Sequence, residues 1–176
     1  MQQIQDDLMK RIKERKKIAE DYLLDYDDRR MDYIAQKKKE LESFNPPADA
    51  NVGGGKSNLP GHPVESAAIR SAQYDESHDE YYWIESVRRT IRVMEDRKRV
   101  FYELRCEAEK RNHRAGRGRR GWVLYVQRRY SERMAAEYMD DDAWISVETA
   151  KRWWHDMVNR VADIHAELKN IKKVTL

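Results

Sequence analysis

Glycine and proline are confined to two short parts of this 176-residue chain. All four prolines lie between residues 46 and 63, and the seven glycines fall within 53–61 and 116–121. Because these residues interrupt helices, the three segments before, between and after the two clusters are free to form long helices. No run of alternating apolar and polar residues with β-branched enrichment competes with that interpretation. The sequence therefore predicts an all-α fold.

Apolar residues at three- and four-residue spacing predict where the helices lie. We expect one long N-terminal helix over 1–44, a Gly/Pro-rich linker or ordered loop over 45–63, and a helical core over 64–115. In that core, a short helix covers about 64–74, and a second helix runs from near Asp79 past Lys110. A basic Gly/Arg loop follows at 116–121, and 122–170 forms the last region.

The N-terminal helix needs a partner. Over 3–44 it carries eleven basic and eleven acidic residues around one narrow apolar stripe, which includes Ile4, Leu8, Ile12, Ala19 and Tyr22. An amphipathic helix of this kind is not stable alone and packs its stripe on another helix. The sequence leaves open whether that partner lies in the same chain or in a second copy, as in a homo-oligomer.

Three observations indicate a protein of a reducing cytoplasm. No run of 18 apolar residues is present, so no membrane span is expected. The N-terminal residues lack the apolar stretch of a secretory signal. The single cysteine, Cys106, rules out an internal disulfide framework, and we expect it to be a buried or half-buried bystander.

The sequence predicts no enzyme: no catalytic residues, no metal ligands and no cofactor. The segment ANVGGGKS at 50–57 approaches a phosphate-binding loop, but Ala50 stands where its first glycine belongs. Prolines on both sides of this segment replace the strand and helix that such a loop requires. The five histidines do not have metal-ligand spacing, and no serine nucleophile elbow is present.

The region 122–170 has the layout of a helix-turn-helix: a helix, a turn, then an amphipathic helix with basic residues. Ser146 is a predicted N-cap, and apolar positions 150, 153, 157 and 161 form the buried face of the helix that follows. The residues predicted to bind DNA are Ser146, Glu148, Thr149, Lys151, Arg152, His155 and Arg160.

Charge is distributed unevenly around this region. Between Lys110 and Arg129 lie eight basic residues and no acidic one, whereas 137–148 holds five acidic residues and no basic one. Basic clusters neutralise DNA phosphates and release counterions. The predicted phosphate contacts are Arg117, Arg119, Arg120, Arg128 and Arg129. The alternative is a solvated basic loop with no specific role.

The order of these segments resembles the RinA/ArpU-like phage transcriptional activators. The resemblance covers about 20–168 and rests on NVGGGKSNLPGHPVESAAIR at 51–70, the apolar helix after it, VQRRYSERMAAEYM and ISVETAKRWWHDMVNRVA. The last pattern is similar to the fourth region of sigma factors. The resemblance implies a sequence-specific activator of late phage genes for packaging, morphogenesis and lysis. Its expected partners are double-stranded DNA and RNA polymerase, in the cytoplasm of a bacterial host.

Under this resemblance, the helix from Ser146 to Val161 enters the major groove. Two positions depart from the usual turn: Trp144 replaces a common glycine, and Asp140 replaces a small apolar residue, so the shape of the turn stays open. Trp153 is expected on the core face, and Trp154 either on the preceding helix or at a DNA sugar. Two alternative functions remain, namely a small terminase subunit that recognises phage DNA and a helical adaptor that binds RNA polymerase.

Overall fold

The computed structural model describes residues 2–43, 63–115 and 121–174, and these ranges form seven α-helices without a strand. The all-α prediction is confirmed. The helices are α1 Gln2–Leu24, α2 Tyr26–Ser43, α3 Pro63–Ser77, α4 Asp79–Arg92, α5 Asp96–Arg114, α6 Trp122–Tyr138 and α7 Val147–Val174. The segment at 50–57 and three predicted phosphate contacts, Arg117, Arg119 and Arg120, lie outside these residues. A search of the described helices finds none with the length and apolarity of a membrane span.

The last helix, α7, organises the core. It packs on α1, α4 and α6, whereas α5 pairs with α6 and α2 packs on α3 and α4. Aromatic and aliphatic side chains from these helices fill the space between them, including Trp83, Val87, Phe101, Leu104, Val126, Tyr130, Ala150 and Val161. The N-terminal helix therefore does find its partner helices in the same chain, through the C-terminal half of α1.

The prediction of one N-terminal helix is wrong, because the chain breaks at Asp25 into α1 and α2. The Leu23 carbonyl, at the end of α1, accepts a hydrogen bond from the Tyr102 hydroxyl at 2.9 Å. The Cys106 thiol approaches the same carbonyl at 3.7 Å. Side chains that insert into the backbone ladder in this way are a known cause of kinks. The break is therefore imposed by α5, which lies far away in sequence.

The prediction of one helix from Asp79 past Lys110 is also wrong. The helix ends at Arg92, and α5 begins at Asp96 after an elbow formed by Val93, Met94 and Glu95. No glycine, proline or capping side chain marks this elbow. Since α4 packs on α7 while α5 packs on α6, tertiary packing directs the chain away from a straight path.

Three other helix ends agree with the sequence pattern. α3 begins at Pro63, the first helical position that proline favours, and covers the short helix expected at 64–74. α6 begins directly after Gly121, whose φ of 84° lies in the left-handed region that glycine adopts easily. The helix expected after Ser146 extends through Val174.

Candidate nucleic-acid interface

The N-terminus of α7 is fixed by its own cap. The backbone N–H of Thr149 donates to the Ser146 hydroxyl at 3.0 Å, so the predicted N-cap is confirmed. The Ser146 hydroxyl in turn donates to the Thr149 hydroxyl oxygen at 3.0 Å. The Ser146 hydroxyl thus satisfies a backbone N–H at the start of the helix, and the Thr149 hydroxyl holds the Ser146 side chain in place. The role of both hydroxyls in the fold is to fix the helix start from which the following residues are presented.

The buried face of α7 is the predicted one. Ala150, Met157 and Val161 are buried. Trp153 is half-buried against Phe101, at a ring-centroid separation of 5.6 Å, which agrees with its expected place on the core face. Trp154 is buried and its ring lies 6.4 Å from that of Trp122 on α6. The expectation that Trp154 packs on the preceding helix is therefore confirmed, and contact with a DNA sugar is excluded by its burial.

Three cationic or hydrogen-bonding side chains stand on the open face of α7. Lys151, Arg152 and His155 are exposed, and none forms an ion pair within the described ranges. At 3.6 residues per turn these three positions fall within about 100° of arc on one side of the helix. Glu148, in the first turn, is exposed on the same side. Four of the seven predicted DNA-binding residues thus share one surface.

Two other predicted residues lie elsewhere on α7. Thr149 and Arg160 are about 160–180° around the helix from Lys151 by the same periodicity. Arg160 lines a groove of about 580 Å³ between α7 and the α4–α5 elbow, with Met94 and Met157 among its neighbours. The structure therefore does not bring Arg160 together with Lys151.

The two predicted phosphate contacts on α6 differ in their surroundings. Arg129 pairs with Glu132 at 2.6 Å on the same helix. Arg128 is exposed and has no ion pair in the part of the chain that the structure describes. Of the two, Arg128 is the one with an uncompensated charge.

The connection between α6 and α7 is longer than a helix-turn-helix turn. It spans eight residues, 139–146, whereas that motif joins its helices with three or four. The left-handed conformation falls on Met139, with φ 55°, and is the one positive φ at a non-glycine residue over the described ranges. Trp144, in the place of the common glycine, therefore does not have to adopt the left-handed conformation that is costly for a bulky residue. Asp140 forms an ion pair with Arg97 of α5 at 2.5 Å, which ties the connection to the body.

Trp144 is a candidate that the sequence interpretation missed. Its side chain is 70% exposed, two residues before the N-cap of α7. Met139, at the other end of the same connection, is 93% exposed. Large exposed apolar side chains can pack on bases or sugars, and Trp144 lies seven residues before Lys151 in the sequence. The sequence offered no signal for this, because a tryptophan in a connection is equally compatible with burial.

A buried arginine holds the start of α7 against three other helices. Arg105 of α5 is 1% exposed, and its guanidinium carbon lies 4.8 Å from the ring centroids of both Trp122 and Trp154. It pairs with Glu109 at 2.9 Å. The indole N–H of Trp154 donates to Glu20 of α1 at 3.0 Å. This cluster joins α1, α5, α6 and α7, so the exposed row on α7 is presented from a rigid base.

The chain matches no protein-family model, no curated protein and no solved structure. Function is therefore inferred from the side chains themselves. Among the described residues, no group of three or more His, Cys, Asp or Glu side chains is arranged to hold a metal ion. Burial raises the pKa of the Cys106 thiol to about 11, which keeps this thiol protonated and unreactive at neutral pH.

Proposed function

We propose that this protein binds double-stranded DNA sequence-specifically, with the first three turns of α7 in the major groove. The observation that carries the proposal is the exposed row of Lys151, Arg152 and His155, which lacks carboxylate partners in the described part of the chain. Nearby arginines are different, since Arg97 and Arg133 pair with acidic side chains. A helix with its side chains is about 10–12 Å across and fits the roughly 12 Å width of the major groove.

The chemistry of the row suits base edges as well as phosphates. The Arg152 guanidinium can donate two hydrogen bonds to O6 and N7 of one guanine. Lys151 supplies a positive charge for a guanine or a phosphate, and His155 supplies a ring nitrogen for either. Glu148, on the same side, is an acceptor for the cytosine amino group. Both charged donors and an acceptor thus lie in one stripe, which favours sequence selection over phosphate binding alone.

The acidic connection constrains how the protein docks. Asp141 and Asp142 are exposed beside the N-terminus of α7. Their carboxylates repel phosphates, so the docked helix turns its Lys151 side to the DNA and keeps Asp141 and Asp142 away from the phosphates. Arg128 of α6 contacts a flanking phosphate in this arrangement, as the first helix of such domains commonly does.

A role in transcription follows from the resemblance to the RinA/ArpU-like activators. Under that resemblance the bound site lies upstream of late phage genes, and the partner at the promoter is RNA polymerase of the bacterial host. Activation adds a protein contact to DNA binding, so it is tested separately by transcription from a promoter that carries the selected site.

The test of DNA binding begins with selection from duplexes that carry a randomised 20-base-pair core. The selected duplex and a scrambled one are then titrated by fluorescence anisotropy. We expect the triple variant Lys151→Ala, Arg152→Ala, His155→Ala to lose most discrimination between the two duplexes. Each base contact of this kind is worth about 1–3 kcal/mol, or roughly tenfold to a hundredfold in affinity.

A matched control removes the same kind of charge elsewhere. Arg30, Lys38 and Lys39 are exposed on α2, which packs on α3 and α4. Of the three, Lys38 has an exposed partner, Glu42 at 3.8 Å, and a pair of this kind contributes little. Their triple alanine variant should retain discrimination. If the selection enriches no sequence, or if both triple variants weaken binding equally, the major-groove proposal is wrong. No binding of any duplex at moderate salt would instead support the adaptor interpretation.

A further inference from the structure

The apolar stripe of α1 continues beyond the part of the helix that the body covers. Ala19 and Tyr22 are buried under neighbouring helices. Towards the N-terminus the exposed fraction rises along the same stripe, from 37% at Ile12 to 56% at Leu8 and 75% at Ile4. These three residues recur every four positions and form one face. Roughly two to three turns of an amphipathic helix are therefore left without a covering surface in the described structure.

Charges beside this stripe have an arrangement that fits a copy of itself. Asp7 and Arg11 are exposed on one flank of the stripe, one helical turn apart. Neither forms an ion pair within the described ranges. When two such helices pack antiparallel, equal flanks meet. Asp7 of one copy then lies opposite Arg11 of the other, and the reciprocal pair forms by symmetry.

We infer that this stripe is a homodimer interface, in which two α1 helices pack antiparallel across a twofold axis near Leu8. Ile4 of each copy then packs on Ile12 of the other. A parallel pair is disfavoured because it brings the flank of Asp7 and Arg11 against the opposite flank, where Gln5 and Met9 carry no charge. Twofold pairing through identical surfaces is also the commonest way that soluble proteins associate. This inference does not depend on DNA binding.

The proposed interface is small. A few apolar side chains on each copy bury much less than the roughly 800 Å² per partner of a standard stable interface. We therefore expect a dissociation constant on the order of ten to a hundred micromolar, so that the dimer assembles only in concentrated solution.

Sedimentation equilibrium of the full chain tests the inference. At several hundred micromolar we expect a mass approaching twice the 21.1 kDa of one chain, falling to one chain on dilution. Leu8→Lys should weaken association at least about tenfold, because it buries a charge in an apolar contact. The control is Met31→Lys on α2, where the side chain is 63% exposed and lies off the stripe. A wild-type protein that stays monomeric throughout this range would overturn the inference.

Charge exchange tests the antiparallel arrangement. Asp7→Arg and Arg11→Asp should each weaken the dimer, and the double variant should restore it, since opposite charges again face each other. If the double variant stays as weak as either single variant, the reciprocal pairs do not exist.

Cysteine crosslinking gives an independent measurement, in a Cys106→Ser background. Ile4→Cys protein should not crosslink with itself but should crosslink when mixed with Ile12→Cys protein. Efficient crosslinking of Ile4→Cys with itself would identify a parallel pair and refute the proposed geometry. Thermal melting of every variant checks that the fold is intact. The positions on α1 are exposed, whereas Cys106 is half-buried, so the Cys106→Ser protein without further changes is the reference.

Discussion

Replacement of Arg105 is the most direct test of how α7 is held. Its side chain is buried between two indole rings and pairs with Glu109 at 2.9 Å and Glu20 at 4.0 Å. In Arg105→Ala the stacking, the pairing and the filled volume disappear together. Loss of one partner from a buried ion pair costs about 3–5 kcal/mol. A domain of this kind has about 5–15 kcal/mol in total, so this single change removes a large share of its free energy of unfolding.

Two further substitutions separate the contributions. Arg105→Lys keeps the charge but loses the planar stack on two rings, and each cation–π contact is worth about 0.5–2 kcal/mol. Arg105→Met keeps apolar contact with the rings and removes the charge. The side chains of Glu109 and Glu20 are 18% and 30% exposed, so water can reach both carboxylates. We therefore expect about 1–3 kcal/mol for either substitution, below the cost of alanine.

The assay is urea unfolding, monitored by tryptophan fluorescence. Trp122 and Trp154, which stack on Arg105, contribute to this signal and report on the cluster itself. The control is Arg133→Ala. Arg133 bridges three glutamates but is 29% exposed, and partly exposed pairs contribute about 1 kcal/mol or less. If Arg105→Ala lowers the free energy of unfolding by no more than Arg133→Ala does, the cluster does not hold α7. If Lys restores full stability, charge alone is sufficient and the stacking argument is refuted.

Two other changes test the local chemistry. Burial lowers the pKa of His165, which stacks on Trp83 at 3.5 Å and approaches Asp79 at 3.3 Å, so the folded state favours the neutral ring. The contribution of His165 to stability should therefore be complete above about pH 6.5 and decrease as the pH drops below it. In thermal melts between about pH 7.5 and 5, His165→Gln should remove this decrease. Ser146→Ala should cost about 1 kcal/mol in urea unfolding by removing the N-cap, with Ser131→Ala in the middle of α6 as the control; equal losses would show that the cap contributes nothing.

The sequence was sufficient for features that depend on local chemistry. Helix-breaking residues at 53–61 and 116–121 and the hydroxyl of Ser146 predicted boundaries that the structure contains. The spacing of Ala150, Met157 and Val161 predicted the buried face of α7. Each of these signals acts within a few residues of the structure it determines.

Features imposed by distant residues could not be read in this way. The break at Asp25 depends on hydrogen bonds from Tyr102 and Cys106, which lie some 80 residues later. The elbow at 93–95 depends on the different packing partners of α4 and α5. The candidate interface shows the same limit: Lys151 and Arg160 belong to one predicted set, yet the helix turns Arg160 to another surface.

Neighbouring positions of α7 have opposite tolerance to exchange. Ala150 and Trp154 lie in the core, so substitution there changes how the helix sits, whereas Lys151, Arg152 and His155 between and beside them point to solvent. Side chains at 151, 152 and 155 can therefore be varied among helix-forming residues at little cost to folding, whereas glycine and proline are excluded because they weaken or break a helix. A library of such residues at these three codons would sample different groove chemistries on one scaffold. Its members would differ in the DNA they select while their melting temperatures stay within a few degrees of each other.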